Sequence, residues 1–418
     1  MTAFAAQGGI GVRSRRRVLA AAAGLVLVLA LIGCGNSGDT PTSPGSAAPL
    51  EALTAHLLAH AQQRLALAAD RLDPADGYPR ATGPDGRWEL GDADNWTSGF
   101  FAGTLWLLFE QTGDPVWRAR AERWTAGLAS QASRTDTHDL GFMIFDSFGQ
   151  QYRLTGDAHA RDVAMTAARS LATRYNPAVG AIKSWDRDAD QPASWRFPVI
   201  IDNMMNLELL YWAADQRGGD PRWAEMATRH ALTSLRAHLR PDGSTAQVAL
   251  FDPVTGALQG RDTWQGQSAT TTWSRGQAWA IHGFTDAYRM SGRAELLDAA
   301  QRAADWYLAR LPVDLVPYWD FDAPGIPSTE RDASAAAIAA SGLVDLARLT
   351  GGSRGDDYRH AAERILASLS ANYLTEGTSN EAVLLHSVGF HRTKSEVDVG
   401  IVYADYYLVE AILRLRRA

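Results

Sequence analysis

A carboxylate and two carboxamides lie close together in the first half of a strongly apolar stretch of the sequence. Most positions from Ile200 to Trp212 are apolar, and Asp202, Asn203 and Asn206 are set among them. A helix that is apolar on most of its faces is buried all round. A buried carboxyl has partners or holds a proton, because an isolated buried charge is too costly. Asp202 is therefore a candidate acid–base group, and the alternative is a helix cap, since Asp is a favoured capping residue.

Other chemically capable residues stand just before, or in the first turn of, further apolar helical segments. They are Asn95-Trp96-Thr97-Ser98, His138-Asp139, Asp202-Asn203, Trp273-Ser274-Arg275, Arg331-Asp332 and Glu396-Val397-Asp398. In a ring of parallel inner helices, all these N-termini open onto one face and the residues share one pocket, whose helix dipoles favour anions. Each residue could alternatively be a simple cap, and we interpret Ser98 and Asp332 in that way.

A recurring junction divides the chain into helical hairpins. Thr112-Gly113-Asp114-Pro115 and Thr155-Gly156-Asp157 each separate two helical runs, and similar junctions follow at Gly218, Gly292 and Gly351. Glycine after a helix supplies a left-handed C-cap, and Asp followed by Pro starts the next helix. Together with a first helix at 50–71 and a last at 399–416, the pattern predicts about twelve helices.

The two helices of each hairpin differ in composition, because the first is uniformly small and apolar while the second is amphipathic. The apolar helices are Gly99–Phe109, Leu140–Tyr152, Ile200–Ala213, Gly276–Tyr288, Ala333–Leu346 and Val399–Ile412. Six buried helices inside six amphipathic ones predict an all-α fold, an (α/α)6 barrel of six hairpins in a toroid. The uneven intervals argue against a simple solenoid. A short β segment is expected at Thr245–Phe251.

The N-terminal region has the pattern of an export signal. Basic residues at 13–17 precede the apolar run Val18–Ile32, which is shorter than the roughly 20 residues of a spanning helix. Leu31-Ile32-Gly33-Cys34 resembles a bacterial lipobox, and Cys34 is the one cysteine of the chain, so it has no intramolecular disulfide partner. We expect a lipoprotein signal peptide at 1–33, with Cys34 lipidated.

This reading divides the chain into three parts. Residues 34–49 have the composition of a flexible tether, and 50–418 form one (α/α)6-barrel catalytic domain. The protein is predicted to be exported and lipid-anchored at the bacterial cell surface or the periplasmic side of a membrane. The general secretory and twin-arginine routes both stay open.

The acidic composition excludes one class of partner. The net charge is −7 and the pI is about 5.8, so the basic footprint of a nucleic-acid-binding protein is absent. An anionic ligand must be held by a few local cations. We expect no metal and no cofactor, since His138 stands beside the single carboxylate Asp139 and fits an orienting partner better than a ligand.

Several motifs together resemble glycoside hydrolase family 88, the unsaturated glucuronyl hydrolases. They are Asn-Trp-Thr-Ser-Gly-Phe at 95–100, Thr-His-Asp-Leu-Gly-Phe at 137–142, Val-Ile-Ile-Asp-Asn-Met-Met-Asn at 199–206, Thr-Trp-Ser-Arg-Gly-Gln-Ala-Trp at 272–279, Trp-Asp-Phe-Asp at 319–322 and Ser-Glu-Val-Asp at 395–398. The likeness runs in order from about residue 50 to the C-terminus. It implies an (α/α)6 barrel that removes the 4,5-unsaturated uronic acid left by polysaccharide lyases at a non-reducing end.

The resemblance also implies roles for individual residues. Asp202 matches the family's general acid/base and Asp139 its second essential carboxylate, while Arg275 looks like part of the uronate pocket. Further substrate-binding candidates are Trp96, His138, Phe142, Trp185, Gln247, Thr263, Gln265, Trp273 and Trp279. The chain departs from the pattern at Gln247 and Trp264, where many members carry His, and at 269–270, where many are acidic. These departures leave the substrate preference open.

The residues suit the implied chemistry on independent grounds. Hydration of an enol ether needs a proton on C4, a cation shared by C5 and the ring oxygen, and water at C5. Burial and a neighbouring carboxylate both raise a carboxyl pKa, and paired carboxyls with separated pKa values take acid and base roles. Asp202 has the more apolar surroundings and is the better acid, while Asp139 can stay ionised and stabilise the cation.

A basic loop just before the last inner helix is a candidate for reading the leaving sugar. Segment 386–395 carries Arg392 and Lys394, which could hold sulfate by charge-assisted hydrogen bonds, or could be ordinary solvated charges. Three alternative functions stay open: an unsaturated rhamnogalacturonyl hydrolase of family 105, an inverting glycosidase with two carboxyls spaced for water, and a non-catalytic sugar-binding lipoprotein. The source polymer, the linkage and the oligomeric state are not determined by the sequence.

Overall fold

The computed structural model describes residues 47–186 and 192–417. The predicted signal peptide, Cys34 and the tether up to residue 46 lie outside the described residues. The first helix begins at Ala47, three residues before the predicted Leu50, so it takes in the end of the predicted tether.

Helices make up most of the described chain. The α-helices are α1 Ala47–Arg71, α2 Ser98–Thr112, α3 Pro115–Ala126, α4 Gln150–Thr155, α5 Ala158–Ala172, α6 Leu207–Ala214, α7 Arg222–Ala237, α8 Ser274–Ser291, α9 Ala294–Leu308, α10 Ala333–Thr350, α11 Gly352–Asn372 and α12 Val402–Arg417. A π-helix at Gly141–Gly149 runs into α4, and a 3-10 helix at Ile201–Asn206 runs into α6. Two more 3-10 turns lie at Ala129–Ser133 and His391–Thr393.

Short strands form small antiparallel sheets between the helices. They are β1 Tyr78–Thr82, β2 Trp88–Gly91, β3 Tyr175–Asn176, β4 Ala181–Ile182, β5 Pro198–Ile200, β6 Val248–Phe251, β7 Leu258–Asp262, β8 Ser387–Phe390 and β9 Ser395–Val399. Strand β6 lies between β5 and β7, with Val199 opposite Ala249 and Ala249 opposite Arg261. The other sheets are the pairs β1–β2, β3–β4 and β8–β9.

The inner helices close into a ring. Helix α2 contacts the π-helix, the π-helix contacts the 3-10 helix before α6, and that helix contacts α8. The ring continues from α8 through α10 and α12 and returns to α2. Helices α3, α5, α7, α9 and α11 pack outside it, and α1 packs on α12 as the sixth outer helix. The predicted (α/α)6 toroid is confirmed.

The predicted junctions act through local backbone chemistry. Gly113 and Gly156 end α2 and α4 with φ of 66° and 71°, a conformation that costs glycine little. Asp114 accepts a hydrogen bond from the amide of Val116 at the start of α3. Asp332 caps α10 in the same way, as expected.

Three local predictions need correction. Ser98 is not a cap, because it is the first residue of α2 and the side chain of Asn95 accepts the hydrogen bond from the Thr97 amide. The last helix begins at Val402 and not at Val399, because residues 395–399 pair with β8. The β segment predicted at 245–251 is a strand over Val248–Phe251 alone.

Small residues let the inner helices approach closely. A side-chain carbon at Gly99 of α2 would collide with the backbone carbonyl of Phe142 in the π-helix. Among the described helices, α10 is long and apolar enough to cross a membrane. It is largely buried as an inner helix of the ring, so its apolar character is explained by the core.

Candidate active site

Asp202 is buried at the start of an inner helix. It lies in the first turn of the 3-10 helix that follows β5, is 6% exposed, and within the described chain its Oδ1 has no hydrogen-bond partner. The pKa of Asp202 is raised to about 7, chiefly by burial; the positive charge of Arg275 opposes the rise, and the negative charge of Asp139 contributes to it. A carboxyl with this pKa can donate and accept a proton near neutral pH.

Asp139 stands directly before the π-helix and is held by two neighbours. The Thr137 hydroxyl donates to Asp139 Oδ2 over 2.8 Å, and His138 Nε2 lies 3.2 Å from Asp139 Oδ1. Burial lowers the pKa of His138, so its ring is neutral and can donate one hydrogen bond. The Thr137 hydrogen bond orients this buried carboxylate, and the His138 ring lies beside it.

The two segments that carry the carboxyls are joined by carboxamides. Asn206 Oδ1 accepts a hydrogen bond from the Phe142 amide over 3.0 Å, which links the 3-10 helix to the π-helix. Asn203 Nδ2 donates to the carbonyl of Ile182 in β4 over 3.1 Å. Asn206 therefore links the two segments that carry the carboxyls, and Asn203 ties the Asp202 segment to β4.

Arg275 is buried in the first turn of α8 and tied to the β8–β9 hairpin. Its guanidinium donates to the carbonyls of Val388 and Gly389, the latter over 2.8 Å, and lies 3.3 Å from Asp332. It also lies 4.4 Å from the Trp273 ring centroid. Two of its hydrogen bonds thus hold the hairpin in place, while its charge acts on Asp202.

Aromatic rings form the floor and one wall of the site. Trp96 is partly exposed and lies 5.6 Å from Phe142 and 5.1 Å from Tyr403 between ring centroids. Phe142 and Trp279 are fully buried beneath it, 5.4 Å apart. They therefore belong to the floor of the site, and Trp96 to its wall.

A second group of rings extends from Asp139 toward the β8–β9 hairpin. Trp185 meets the His138 ring edge-on at 6.4 Å and stacks on Trp195 at 6.3 Å. Trp195 contacts Trp264, which contacts Phe390 of the hairpin. This chain of rings connects the carboxyl pair to the basic loop.

Gln247 organises the loop that presents Gln265. Its Oε1 accepts hydrogen bonds from the Thr263 hydroxyl over 2.8 Å and from the amides of Trp264 and Gln265 over 2.7 and 2.9 Å. Its amide group donates to the side chain of Gln265. Gln247 and Thr263 are both buried, so they act on a ligand through the loop.

Arg392 and Lys394 are exposed on the turn between β8 and β9. Arg392 donates to the Thr263 carbonyl over 3.2 Å, and its guanidinium lies 5.9 Å from the Trp264 ring. Lys394 has a left-handed backbone with φ of 55°. The hairpin therefore brings the basic loop to the same face as the carboxyls, as expected from its place in the sequence.

Two site residues have roles that sequence reasoning missed. Asp332 is both a cap and the carboxylate partner of Arg275. Tyr403, in the first turn of α12, lies 5.0 Å from the Arg275 guanidinium and packs on Trp96. Both residues lie just before or in the first turn of an inner helix, and this position could have identified them from the sequence.

A sizeable cavity lies at the other end of the toroid. It has a volume of about 740 Å³ and is lined by the C-terminal parts of the inner helices. None of the predicted site residues lines it. This cavity and the paired carboxyls lie at opposite faces, and the face with the carboxyls is the candidate active site, since the size of a cavity alone carries no chemistry.

A fold of six helical hairpins with two buried carboxyls and aromatic walls at one end is typical of carbohydrate-active enzymes. The sequence profile of Glycosyl Hydrolase Family 88 matches residues 70–413. The chain belongs to glycoside hydrolase family 88, the unsaturated glucuronyl hydrolases.

Individual relatives agree with this assignment. An unsaturated glucuronyl hydrolase from Formosa agariphila is 42% identical over 325 residues, covering 77% of this chain and 80% of the relative. The crystal structure of an unsaturated glucuronyl hydrolase specific for heparin is 39% identical, covers 88% of this chain and 98% of its own, and has a TM-score of 0.83. A variant enzyme from Streptococcus agalactiae, solved with dGlcA-GalNAc6S, is 28% identical. Its structure covers 86% of this chain and 90% of its own, with a TM-score of 0.74.

Proposed function

We propose that this enzyme removes the 4,5-unsaturated uronic acid from the non-reducing end of glycosaminoglycan-derived oligosaccharides. The paired carboxyls carry this proposal, because Asp202 has a pKa of about 7 beside the carboxylate of Asp139. One acid that is half-protonated near neutral pH and one neighbouring carboxylate suit the hydration of an enol ether.

The proposed reaction is a hydration followed by ring opening. Protonated Asp202 gives its proton to C4, and the cation that develops on C5 and the ring oxygen is stabilised by the negative charge of Asp139. Water adds at C5 and returns a proton to Asp202, which restores the acid. The resulting hemiketal opens and releases the remaining sugar chain, so the proton balance closes without a cofactor.

The binding roles follow from the arrangement of the pocket. Trp96 and Trp185 flank the carboxyls and offer faces on which a sugar ring can stack. Gln265 can hydrogen-bond the uronate, and Arg275 adds positive charge behind the site. Arg275 also keeps the pKa of Asp202 from rising further, which sets the acid close to neutral.

The substrate class is supported by the relatives. The similar enzymes include one that is specific for heparin, unsaturated chondroitin disaccharide hydrolases, and a variant solved with dGlcA-GalNAc6S. Arg392 and Lys394 at the hairpin supply cations next to the position of the leaving sugar, and both residues are exposed. We therefore propose that sulfated substrates are accepted. The match to family 88 gives no support to the family 105 alternative.

The direct test is turnover of a panel of lyase products. Disaccharides from chondroitin, hyaluronan, heparin and pectin are incubated with the enzyme, and loss of the C4=C5 ultraviolet absorbance is followed. We expect loss with at least one glycosaminoglycan product. Turnover of the pectin product alone would overturn the proposed substrate class.

We also propose that Cys34 carries a lipid and holds the enzyme at a membrane. The support is in the sequence: arginines, a short apolar run, Leu-Ile-Gly-Cys and a linker-like segment. An anchored enzyme at the cell surface would meet oligosaccharides released outside the cell.

A further inference from the structure

The cavity at the C-terminal ends of the inner helices combines three kinds of side chain. Its walls come from α4, α6, α8, α10 and α12, and its volume is about 740 Å³. Pockets of this size hold small ligands. Arginines, aromatic rings and carboxylates all line it, and the proposed reaction uses none of them.

Two of the arginines have donors to spare. Arg348 is 58% exposed and contacts Asp345 through one nitrogen at 3.3 Å. Arg417 is 53% exposed and contacts Glu110 through one nitrogen. Each guanidinium has five N–H donors, so both can accept an anionic group at the mouth of the cavity. The other arginines there are more fully engaged, as with Arg414, which bonds Asp345 and Glu410.

An aromatic wall lies beside these arginines. Trp212 is partly exposed, and its ring lies 5.4 Å from Phe145 and 5.7 Å from Tyr152. Both neighbours also line the cavity. An amphipathic ring supported in this way offers a rigid apolar face at low entropic cost.

The carboxylates in the cavity narrow the choice of ligand. Glu208, Asp215, Asp345 and Glu410 all line it. They repel a densely charged ligand such as a polyphosphate, but they accept hydrogen bonds from hydroxyl groups. A ligand with many hydroxyls and widely spaced anionic groups matches this mixture, and an acidic sugar chain has that composition.

We propose that this cavity is a second, non-catalytic binding site for an acidic oligosaccharide. Arg348 and Arg417 hold its sulfate or carboxylate groups, and Trp212 packs against a sugar ring. The site lies at the opposite end of the toroid from Asp202, so it retains glycan chains near the enzyme without turning them over. It goes beyond the proposed reaction and does not depend on which bond is cleaved.

The test measures binding of a chain that lacks the C4=C5 bond. The enzyme is titrated calorimetrically, at low salt, with a saturated chondroitin 6-sulfate hexasaccharide. The dissociation constants of two double variants are compared with that of wild type. Arg348→Glu/Arg417→Glu should bind at least about tenfold more weakly than wild type, since two charge-assisted hydrogen bonds are lost.

The matched control is Arg222→Glu/Arg229→Glu on α7. These arginines are 76% and 61% exposed and pair with Asp220 and Glu225, so the net charge change is the same and the cavity is untouched. Binding by the control should stay within about twofold of wild type, because a remote surface charge is screened. Disaccharide turnover should be unchanged in both variants, which also shows that they fold.

Three outcomes overturn the proposal. The first is that the cavity variant binds the hexasaccharide as tightly as the control variant does. The second is that Arg392→Ala/Lys394→Ala abolishes binding while the cavity variant retains it. The third is that glucuronic acid alone binds as tightly as the hexasaccharide, since the site then takes a single uronate. Failure of the lyase-product assay would leave these binding results intact, so the two proposals fail separately.

Discussion

Two buried aspartates in this enzyme have the same raised pKa and different surroundings. Burial raises the pKa of Asp202 and of Asp405 to about 7. Asp405 accepts hydrogen bonds from the amides of Val383 and Leu384 over 3.0 and 3.1 Å, so its carboxyl is used to hold a loop. Asp202 has an oxygen without a hydrogen-bond partner among the described residues and has Asp139 as a neighbour, which supports its proposed role as the acid.

Replacement of Asp202 tests the acid directly. Asp202→Asn should lower kcat by at least about 10²-fold, because the amide is nearly isosteric but does not donate a proton as an acid does. The Kd for the unsaturated disaccharide should change little. Initial rates give kcat, and calorimetry gives Kd. As a control, Asp405→Asn should lose thermal stability yet keep turnover per folded molecule. If Asp202→Asn keeps more than about a tenth of the wild-type kcat, general acid catalysis by this residue is excluded.

The pH dependence of the reaction follows from the same residue. The pKa of Asp202 lies at about 7, above the usual value of 3.8, and the proposed active form is protonated. The kcat/KM should therefore fall as pH rises through about 7, by about tenfold per unit, since it reports groups of the free enzyme. A profile that is flat up to pH 9 would contradict this assignment.

Residue types and their order in the sequence were enough to predict the carboxyl pair. They did not predict which of the neighbouring side chains form hydrogen bonds with the protein itself. Gln247 was expected to touch substrate, whereas its carbonyl oxygen accepts three hydrogen bonds from residues 263–265. Arg275 was expected in the uronate pocket, and its guanidinium also holds carbonyls from residues more than 100 positions away. Such long-range contacts leave no periodic trace in a sequence.

The π-helix determines how α2 meets the residues that follow Asp139. Its extra width brings the carbonyl of Phe142 against Gly99, where a side chain would collide. The sequence predicted a helix at 140–152 but not its π form, because apolar spacing does not distinguish the two over a short segment.

Gly99→Ala should separate these two elements. We expect a loss of about 1–3 kcal/mol in the free energy of unfolding, as for other overpacked sites, together with a lower kcat because Asp139 moves with the π-helix. Urea titration and initial rates measure the two effects. Gly260→Ala in β7 is the control, since a side chain there meets no atom within 4 Å, and equal stability of the two variants would refute the steric argument.

The β8–β9 hairpin is the element that should read sulfate. Arg392→Ala/Lys394→Ala should raise KM for sulfated disaccharides and change kcat less, because the sulfate is remote from C4 and C5. Added salt should weaken the wild-type preference by screening. Matched sulfated and unsulfated disaccharides provide the control within one enzyme. An unchanged ratio of their kcat/KM values would show that the hairpin carries ordinary surface charges.

At the scale of the molecule, the fold was predictable because its hairpins repeat a local code of glycine and aspartate caps.

The predicted anchor is a separate matter, since residues 1–46 lie outside the described chain. Cys34→Ala should leave the protein in the aqueous phase of a detergent partition, while wild type enters the detergent phase. Equal partitioning of the two would mean that Cys34 carries no lipid. Disaccharide turnover of both proteins serves as the control for folding.

The contact between α1 and α12 has a consequence for how the chain is made. These helices form one hairpin of the toroid from the two ends of the domain, so its halves are not joined by a loop. The ring stays open until α12 has been synthesised, and Trp96 lacks its ring contact with Tyr403 until then. Contacts between distant parts of a chain form slowly. No earlier stretch of the described domain can close the ring, so export through the general secretory route, if the proposed signal directs it there, would have this interval in which to move an unfolded chain.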